Sequence, residues 1–273
     1  MDNRYPETYG MGAEDKGALL SGRLPHVVLD LPSRRLKGLK IERLLGLAGR
    51  SQPLRILEVG TGSGGIAHYF GTHESLDCEV DAVDVHDNRM ITAGYRFHQV
   101  EDTRLPFPDE HFDVVLTNHV IEHVGNELAQ RAHLAEIYRV LHPAGVGYLA
   151  VPNRWMLVEP HYKLAFLSWL PHAWRTPYLR LAQRGECYDC EPLQVGQLEE
   201  RLQVAGFEYR NICVNALRAT FDIERPDSAA AYVLRRIPDR AFLPLRRVIP
   251  TLIYKFYRPQ QSVLSNELSE CPS

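Results

Sequence analysis

A short apolar run, Leu54-Arg-Ile-Leu-Glu-Val59, leads straight into a glycine cluster, Gly60-Thr-Gly-Ser-Gly64-Gly65. No other feature of the sequence constrains the fold as tightly. The run reads as a buried strand, and Gly65 to Phe70 beyond the glycines reads as a short helix. Glycines at such a junction let the backbone turn sharply and approach a ligand without Cβ interference. The alternation then continues. Glu79 to Val85 is a second predicted strand, Tyr95 to Val100 a shorter third, and Phe112 to Asn118 a buried fourth. Leu128 to Leu141 puts Leu134, Ile137, Tyr138 and Leu141 on one helical face, His142-Pro-Ala-Gly145 stops it, and Val146 to Val151 is a fifth strand. Strands alternating with helices predict an α/β fold, a Rossmann-like doubly wound sheet covered on both faces, with right-handed crossovers.

The flanking regions read differently. Leu36, Leu39, Leu44, Leu45 and Leu47 recur at near-helical spacing up to Gly49, so residues 1–50 are expected to form an N-terminal helical cap. Residues 51–235 form the main domain, with an insertion at about 154–192 that holds Trp155, Trp169 and Trp174. Val195 to Ala205 resumes as an amphipathic helix, and Phe207 to Val214 and Ala230 to Leu234 are predicted strands. Residues 236–273 read as a basic and apolar extension punctuated by Pro238, Pro244 and Pro250. Lys+Arg 31 against Asp+Glu 34 leaves no basic excess, which disfavours a nucleic-acid partner. No apolar run reaches the ~18 residues of a membrane helix. Met1 to Gly10 is polar and acidic, so no signal peptide is expected and the expected compartment is the cytoplasm. The cysteine count, Cys 5, is odd, which argues against a disulfide framework, and Cys187-Tyr-Asp-Cys190 lacks the second half of a zinc site.

Gly60, Gly62 and Gly65 satisfy G-x-G-x-x-G, which alone points to a dinucleotide. Two carboxylates widen the choice. Asp84 ends the second strand, where an acid can accept both ribose hydroxyls of an adenosine. Asp102, after the third strand, is placed to accept from an adenine amino group. The full set of motifs is Glu58-Val-Gly-Thr-Gly-Ser-Gly64, Asp84, Asp102-Thr-Arg-Leu-Pro-Phe-Pro-Asp109-Glu-His-Phe-Asp113, His119-Val-Ile-Glu-His-Val124 and Arg139-Val-Leu-His-Pro-Ala-Gly145. This set, over about residues 54–153, resembles the class I S-adenosylmethionine-dependent methyltransferases, in the subgroup called methyltransferase type 11. One departure is Ala144, where the family usually has glycine.

The resemblance implies a seven-stranded sheet with its last strand antiparallel. It implies that Gly60, Thr61, Gly62 and Gly64 pack on the methionine part of S-adenosylmethionine and that Glu58 helps hold its amino group. It assigns the ribose to Asp84 and the adenine to Asp102, with Glu101, Val85 and Thr103 beside it. Asn118 and His119 are expected to face the sulfonium and the acceptor, and S-adenosylhomocysteine is the expected product.

Methyl transfer asks the protein mainly for alignment, because the sulfonium is already a good leaving group. A hydroxyl acceptor gains from a general base. His161, after the fifth strand, is the first choice for that base, with His119 and Glu122 as further catalytic candidates. His119, Glu122 and His123 would share a face if this stretch were helical, a spacing that permits a divalent metal without demanding one; no metal is the favoured reading. The acceptor is expected to be a small molecule or a lipid- or carrier-linked one, such as a quinone precursor, a polyketide or a surface-glycan saccharide. The Arg235 to Arg258 stretch, cationic and apolar, could lie on an anionic membrane surface; a packed cap or dimer face is favoured over that contact, and the chain is read as a monomer or homodimer. Competing readings are a non-catalytic protein that binds the same cofactor, a nicotinamide-dependent oxidoreductase and an RNA methyltransferase.

Overall fold

The computed structural model describes residues 30–50, 52–159, 162–188, 190–242 and 244–259. The chain divides into two compact units. The larger takes in the described residues up to Leu157 and again from Cys190 onward.

Its centre is a seven-stranded sheet in the order β3-β2-β1-β4-β5-β9-β8. The strands are β1 (Leu54–Val59), β2 (Cys78–Asp84), β3 (Arg96–Gln99), β4 (Phe112–Asn118), β5 (Leu141–Pro152), β8 (Glu208–Asn211) and β9 (Thr251–Tyr257). β9 runs antiparallel to both its neighbours, β5 and β8, and the pairs from β3 through β5 are parallel. Helices are α1 (Leu31–Leu45), α2 (Gly65–Gly71), α3 (Glu127–Val140), α5 (Val195–Val204), α6 (Cys213–Glu224) and α7 (Ala229–Arg236).

Strand alternation sorts the core into two layers. Leu54, Ile56, Val114, Leu116, Tyr148 and Ala150 point to one face and pack with Ile41 and Leu45 of α1, Ile66 and Phe70 of α2, and Ala216 of α6. Leu57, Val59, Val115, Leu149 and Val151 point to the other and meet Leu134 and Ile137 of α3 and Leu198 and Leu202 of α5. Covering both faces explains why β1 and β4 read as nearly continuous apolar runs. Strand order reverses between β1 and β4, so the loops beyond their carboxyl ends diverge and leave a crevice, which is where open α/β sheets bind ligands.

The carboxyl-terminal part differs from the sequence reading. Ala230 to Leu234 is not a strand: it lies in α7, where Ser228 caps the helix by accepting the Ala231 amide and an alanine run follows. The antiparallel strand is Thr251–Tyr257, drawn from the segment read as an extension. Leu252, Ile253, Tyr254 and Phe256 are buried in the sheet, so they are not a membrane-facing stripe. The cations there do structural work. Arg258 donates from Nη1 to the carbonyls of Tyr138, Arg139 and Leu141 at the end of α3, and the Lys255 ammonium donates to the Leu45 carbonyl at 2.8 Å. Pro250 stands just before the strand rather than breaking it. Asn153, fully buried, donates to the Arg247 and Ile249 carbonyls at 2.9 Å each and fixes the entry into β9.

The smaller unit includes the described residues 158–188. It holds a two-stranded ladder, β6 (Val158–Glu159) with β7 (Leu164–Ala165), and helix α4 (His172–Leu181). Glu159 accepts the Tyr162 amide at 2.7 Å, and the Tyr162 hydroxyl donates to the Cys187 carbonyl at 3.2 Å. Among the described residues, no helix is long and apolar enough to cross a membrane.

Candidate active site

The site builds outward from the glycine loop. Gly60, Gly62 and Gly64 all have positive φ, at 74°, 53° and 79°. Side chains rarely adopt this region, so the loop needs glycine for its path. Gly60 has a second reason: a Cβ there would lie 2.3 Å from Val120 Cγ2. The loop after β1 therefore abuts the loop after β4. At Gly64 a Cβ would meet the Tyr95 hydroxyl and the Ile91 carbonyl, which are themselves hydrogen-bonded at 2.6 Å.

Asp84 ties the loop to β2. One carboxylate oxygen accepts the Gly62 amide at 2.9 Å and the other accepts the His86 amide at 3.2 Å. Glu58 lies beneath the loop, buried, and one of its oxygens accepts from the Thr61 hydroxyl at 2.7 Å and the Ala67 amide at 2.9 Å. Burial pushes the Glu58 carboxyl up to about 8, against the opposing pull of those two hydrogen bonds and of Arg34. Arg34, on α1, was not among the expected site residues; burial lowers its pKa, and its Cβ would stand 2.6 Å from a Cβ on Gly65. Nothing in the local pattern around Arg34 marks it, because its neighbour Gly65 is distant in sequence.

Beyond β3, Glu101 and Asp102 are exposed and Thr103 is half-buried. Asp102 accepts the Arg104 amide at 2.7 Å. Val85 is 45% exposed at the end of β2. The following Leu105 to Asp109 stretch is held by Arg139, which donates to the Leu105 and Phe107 carbonyls and pairs with Asp109 and Glu136. Two of the spaced motifs, at 105–109 and at 139, are thus one structural contact. Asp81, in β2, is buried; burial raises its pKa, but hydrogen bonds from Arg96 and His98 outweigh this and leave it lowered.

Asn118 and His119 end β4. The Asn118 Oδ1 is buried without a hydrogen-bond partner. His119 has φ 61°, an uncommon conformation for a side chain of this size, and its amide donates to the Ala150 carbonyl. The stretch after it is a turn, not a helix, so His119, Glu122 and His123 do not share a helical face. The turn brings His119 Nδ1 to 3.2 Å from Glu122 Oε1, and Glu122 is fully buried. His123 instead lies with Nδ1 3.8 Å from the Cys190 sulfur. Among the described residues, no group of three or more His, Cys, Asp or Glu side chains could hold a metal ion. His161 lies outside the described residues. Behind the site His133, fully buried, sits with Nε2 3.2 Å from the Thr117 hydroxyl, and burial depresses its pKa to about 4.

Known proteins resemble this chain in sequence and in fold. A family model described as a methyltransferase domain matches residues 57–149. A fatty-acid O-methyltransferase of Mycolicibacterium smegmatis is 38% identical over 99 residues, 33% of this chain and 34% of that protein. A phthiotriol/phenolphthiotriol dimycocerosates methyltransferase of Mycobacterium tuberculosis is 31% identical over 139 residues, 48% of this chain and 46% of that protein. The chain thus matches these curated relatives over less than half of their length. Among solved structures, the (4+2)-cyclase SpnF aligns with a TM-score of 0.51 at 16% identity, covering 88% of this chain and 85% of that one. An S-adenosylmethionine-dependent methyltransferase of Methanosarcina mazei aligns with a TM-score of 0.50 at 15% identity, covering 78% and 95%. Residues 57–149 thus match a methyltransferase domain, set within a sheet of the same fold as the solved methyltransferase.

Proposed function

We propose that this chain transfers a methyl group from S-adenosylmethionine to a hydroxyl of a small or lipid- or carrier-linked acceptor. The observation that carries the reading is the pairing of a left-handed glycine loop with the Asp84 carboxylate at the carboxyl edge of a switch-point sheet. The residues present fit such a cofactor. The glycines keep side chains off the loop, Asp84 offers carboxylate oxygens for a ribose diol, and the unpartnered Asn118 oxygen offers an acceptor for an ammonium group. The Glu58 carboxyl, raised to about 8 by burial, would be drawn toward its ionised form by a cation brought close to it. Asp102, with Glu101, Val85 and Thr103 beside it on the neighbouring strand ends, completes the adenine side.

When bound, the cofactor supplies a methyl on a sulfonium, which accepts an oxygen nucleophile in line. The chain's own task is to align the acceptor and take its proton. His119 is the described residue suited to this. A buried carboxylate at Nδ1 holds that nitrogen in its N–H form, which leaves Nε2 to accept the proton. Glu122 acts through His119 and is a positioning residue. His161 remains a second candidate for the base.

The names of the two mycobacterial relatives support a lipid-like acceptor and, for one, oxygen as the methylated atom. A second reading, ligand binding without methyl transfer, draws on the solved cyclase, whose name gives this fold another reaction. Calorimetric titration with S-adenosylmethionine and S-adenosylhomocysteine, followed by radiolabelled methyl transfer to fatty acids, long-chain diols and glycolipids, separates the two. Binding with transfer supports the proposal. Binding without transfer to any acceptor favours the second reading, and no binding by folded protein overturns both.

A further inference from the structure

A cavity of about 460 Å³ has Glu127, Gln130, Arg154, Glu191, Gln197 and Arg201 in its lining. Its walls come from the segment after β4, the start of α3, the segment after β5 and helix α5. Its volume falls in the ~300–1,000 Å³ range of small-molecule sites. Two of its side chains are buried with polar atoms left over. Gln130, 2% exposed, donates its amide to the Gly125 carbonyl at 3.3 Å, but its Oε1 has no partner. Arg201, 6% exposed, makes one loose ion pair with Glu127 at 3.7 Å, while its Nε and Nη1 have no partner. A buried polar group without a hydrogen-bond partner is costly, a charged one more so. A side-chain acceptor and two guanidinium donors in one cavity therefore call for an occupant.

The lining decides what kind. Arg154 and Arg201 are balanced by Glu127 and Glu191, so the cavity carries no formal net charge. An anion would satisfy Arg201 but would face both carboxylates and the lone pairs of Gln130. A cation would face the two arginines. A hydroxyl donates and accepts at once, so vicinal hydroxyls can meet the Gln130 oxygen and the Arg201 N–H groups together. We propose that this cavity binds a neutral polyhydroxylated group, a glycosyl or polyol unit. As the place where such a unit of the acceptor sits, the site rests on the methyl-transfer reading, since it lies at the carboxyl edge beyond the same strands β4 and β5 that border His119. Its affinity for hydroxyl-bearing ligands does not depend on that reading.

The test is an NMR titration of the full chain with methyl glycosides of mannose, rhamnose, galactose and glucose and with myo-inositol, against sodium acetate and inorganic phosphate. Calorimetry with S-adenosylmethionine runs in parallel. At least one neutral polyol is expected to shift resonances of Gln130, Gln197 and the Arg201 side chain at millimolar concentration. Gln130→Leu and Arg201→Met are each expected to weaken it by about fivefold or more, the worth of one hydrogen bond, with S-adenosylmethionine affinity retained. Gln130→Leu serves as the check should Arg201→Met not fold. Selective binding of acetate or phosphate, or no response to any polyol, overturns the inference. Polyol binding by a protein that ignores S-adenosylmethionine sinks the cofactor reading and leaves the cavity's assignment standing.

Discussion

The Asp84 carboxylate accepts the backbone amide of Gly62 at 2.9 Å, joining the tip of the loop after β1 to the end of β2. One side chain thereby shapes the glycine loop and still presents oxygen lone pairs to the crevice. Asp84→Ala is expected to weaken S-adenosylmethionine binding by about tenfold or more, in line with ~1.5–3 kcal/mol for hydrogen bonds to a charged group. Asp84→Asn keeps an oxygen for Gly62 and should fall between. Unchanged affinity in a folded Asp84→Ala protein, read by calorimetry, would remove the ribose assignment.

His119→Asn separates chemistry from fold. Asparagine tolerates the left-handed conformation that His119 holds at φ 61°, so the turn survives while the imidazole is lost. Turnover is expected to fall by ~10²-fold or more with the melting temperature unchanged. Glu122→Gln should lower turnover less, since the imidazole stays and loses only its positioning partner. If His119→Asn turns over at the wild-type rate, His119 is not the base and His161 becomes the residue to replace.

Two buried titratable groups set opposite pH slopes of stability. Glu58 has its carboxyl raised to about 8, so unfolding releases a proton and stability falls as pH rises from the ordinary value of 4.5 toward 8. His133 has its imidazole lowered to about 4, so unfolding takes up a proton and stability falls as pH drops from 6.5 toward 4. Melting temperature across pH 4 to 8, in the absence of ligand, should lose its alkaline decline in Glu58→Gln and soften its acid decline in His133→Gln. Parallel curves for wild type and Glu58→Gln would show that Glu58 is ionised in the folded protein.

Ala144 and Gly60 give a reciprocal test of backbone strain. Ala144 is exposed and has φ 64°, with its amide donating to the Arg258 carbonyl at 3.0 Å. Ala144→Gly should relieve the left-handed penalty and stabilise by ~1 kcal/mol. Gly60→Ala should destabilise by more than ~1 kcal/mol, since it adds strain at φ 74° to a clash with Val120. Val120→Ala in the Gly60→Ala background should recover only part of the loss. Denaturant midpoints measure all three, and a destabilised Ala144→Gly would contradict the account.

The order of β1, α2, β2 and β4, the glycine loop and the acid at Asp84 were legible in the sequence because they are local. A strand emptying into glycines has few conformations open to it, and burial on both faces writes itself as a continuous apolar run. The seventh strand was not legible. Thr251–Tyr257 carries a lysine and follows a proline, and Ala230 to Leu234 had the apolar content of a strand without its partners. Which of them entered the sheet depended on pairing with β5, whose residues lie some hundred positions earlier. The same holds at the site. Spacing alone grouped His119, Glu122 and His123, whereas the turn after β4 joined the first two and sent the third toward Cys190. Gln130 and Arg201 look like ordinary helix surface in the sequence, and only the packing of α3 against α5 left their polar atoms buried in one cavity. Sequence determines what a residue can do within a few positions of itself; burial, and with it the cost of an unmet hydrogen bond or charge, is decided by what the tertiary fold lays on top.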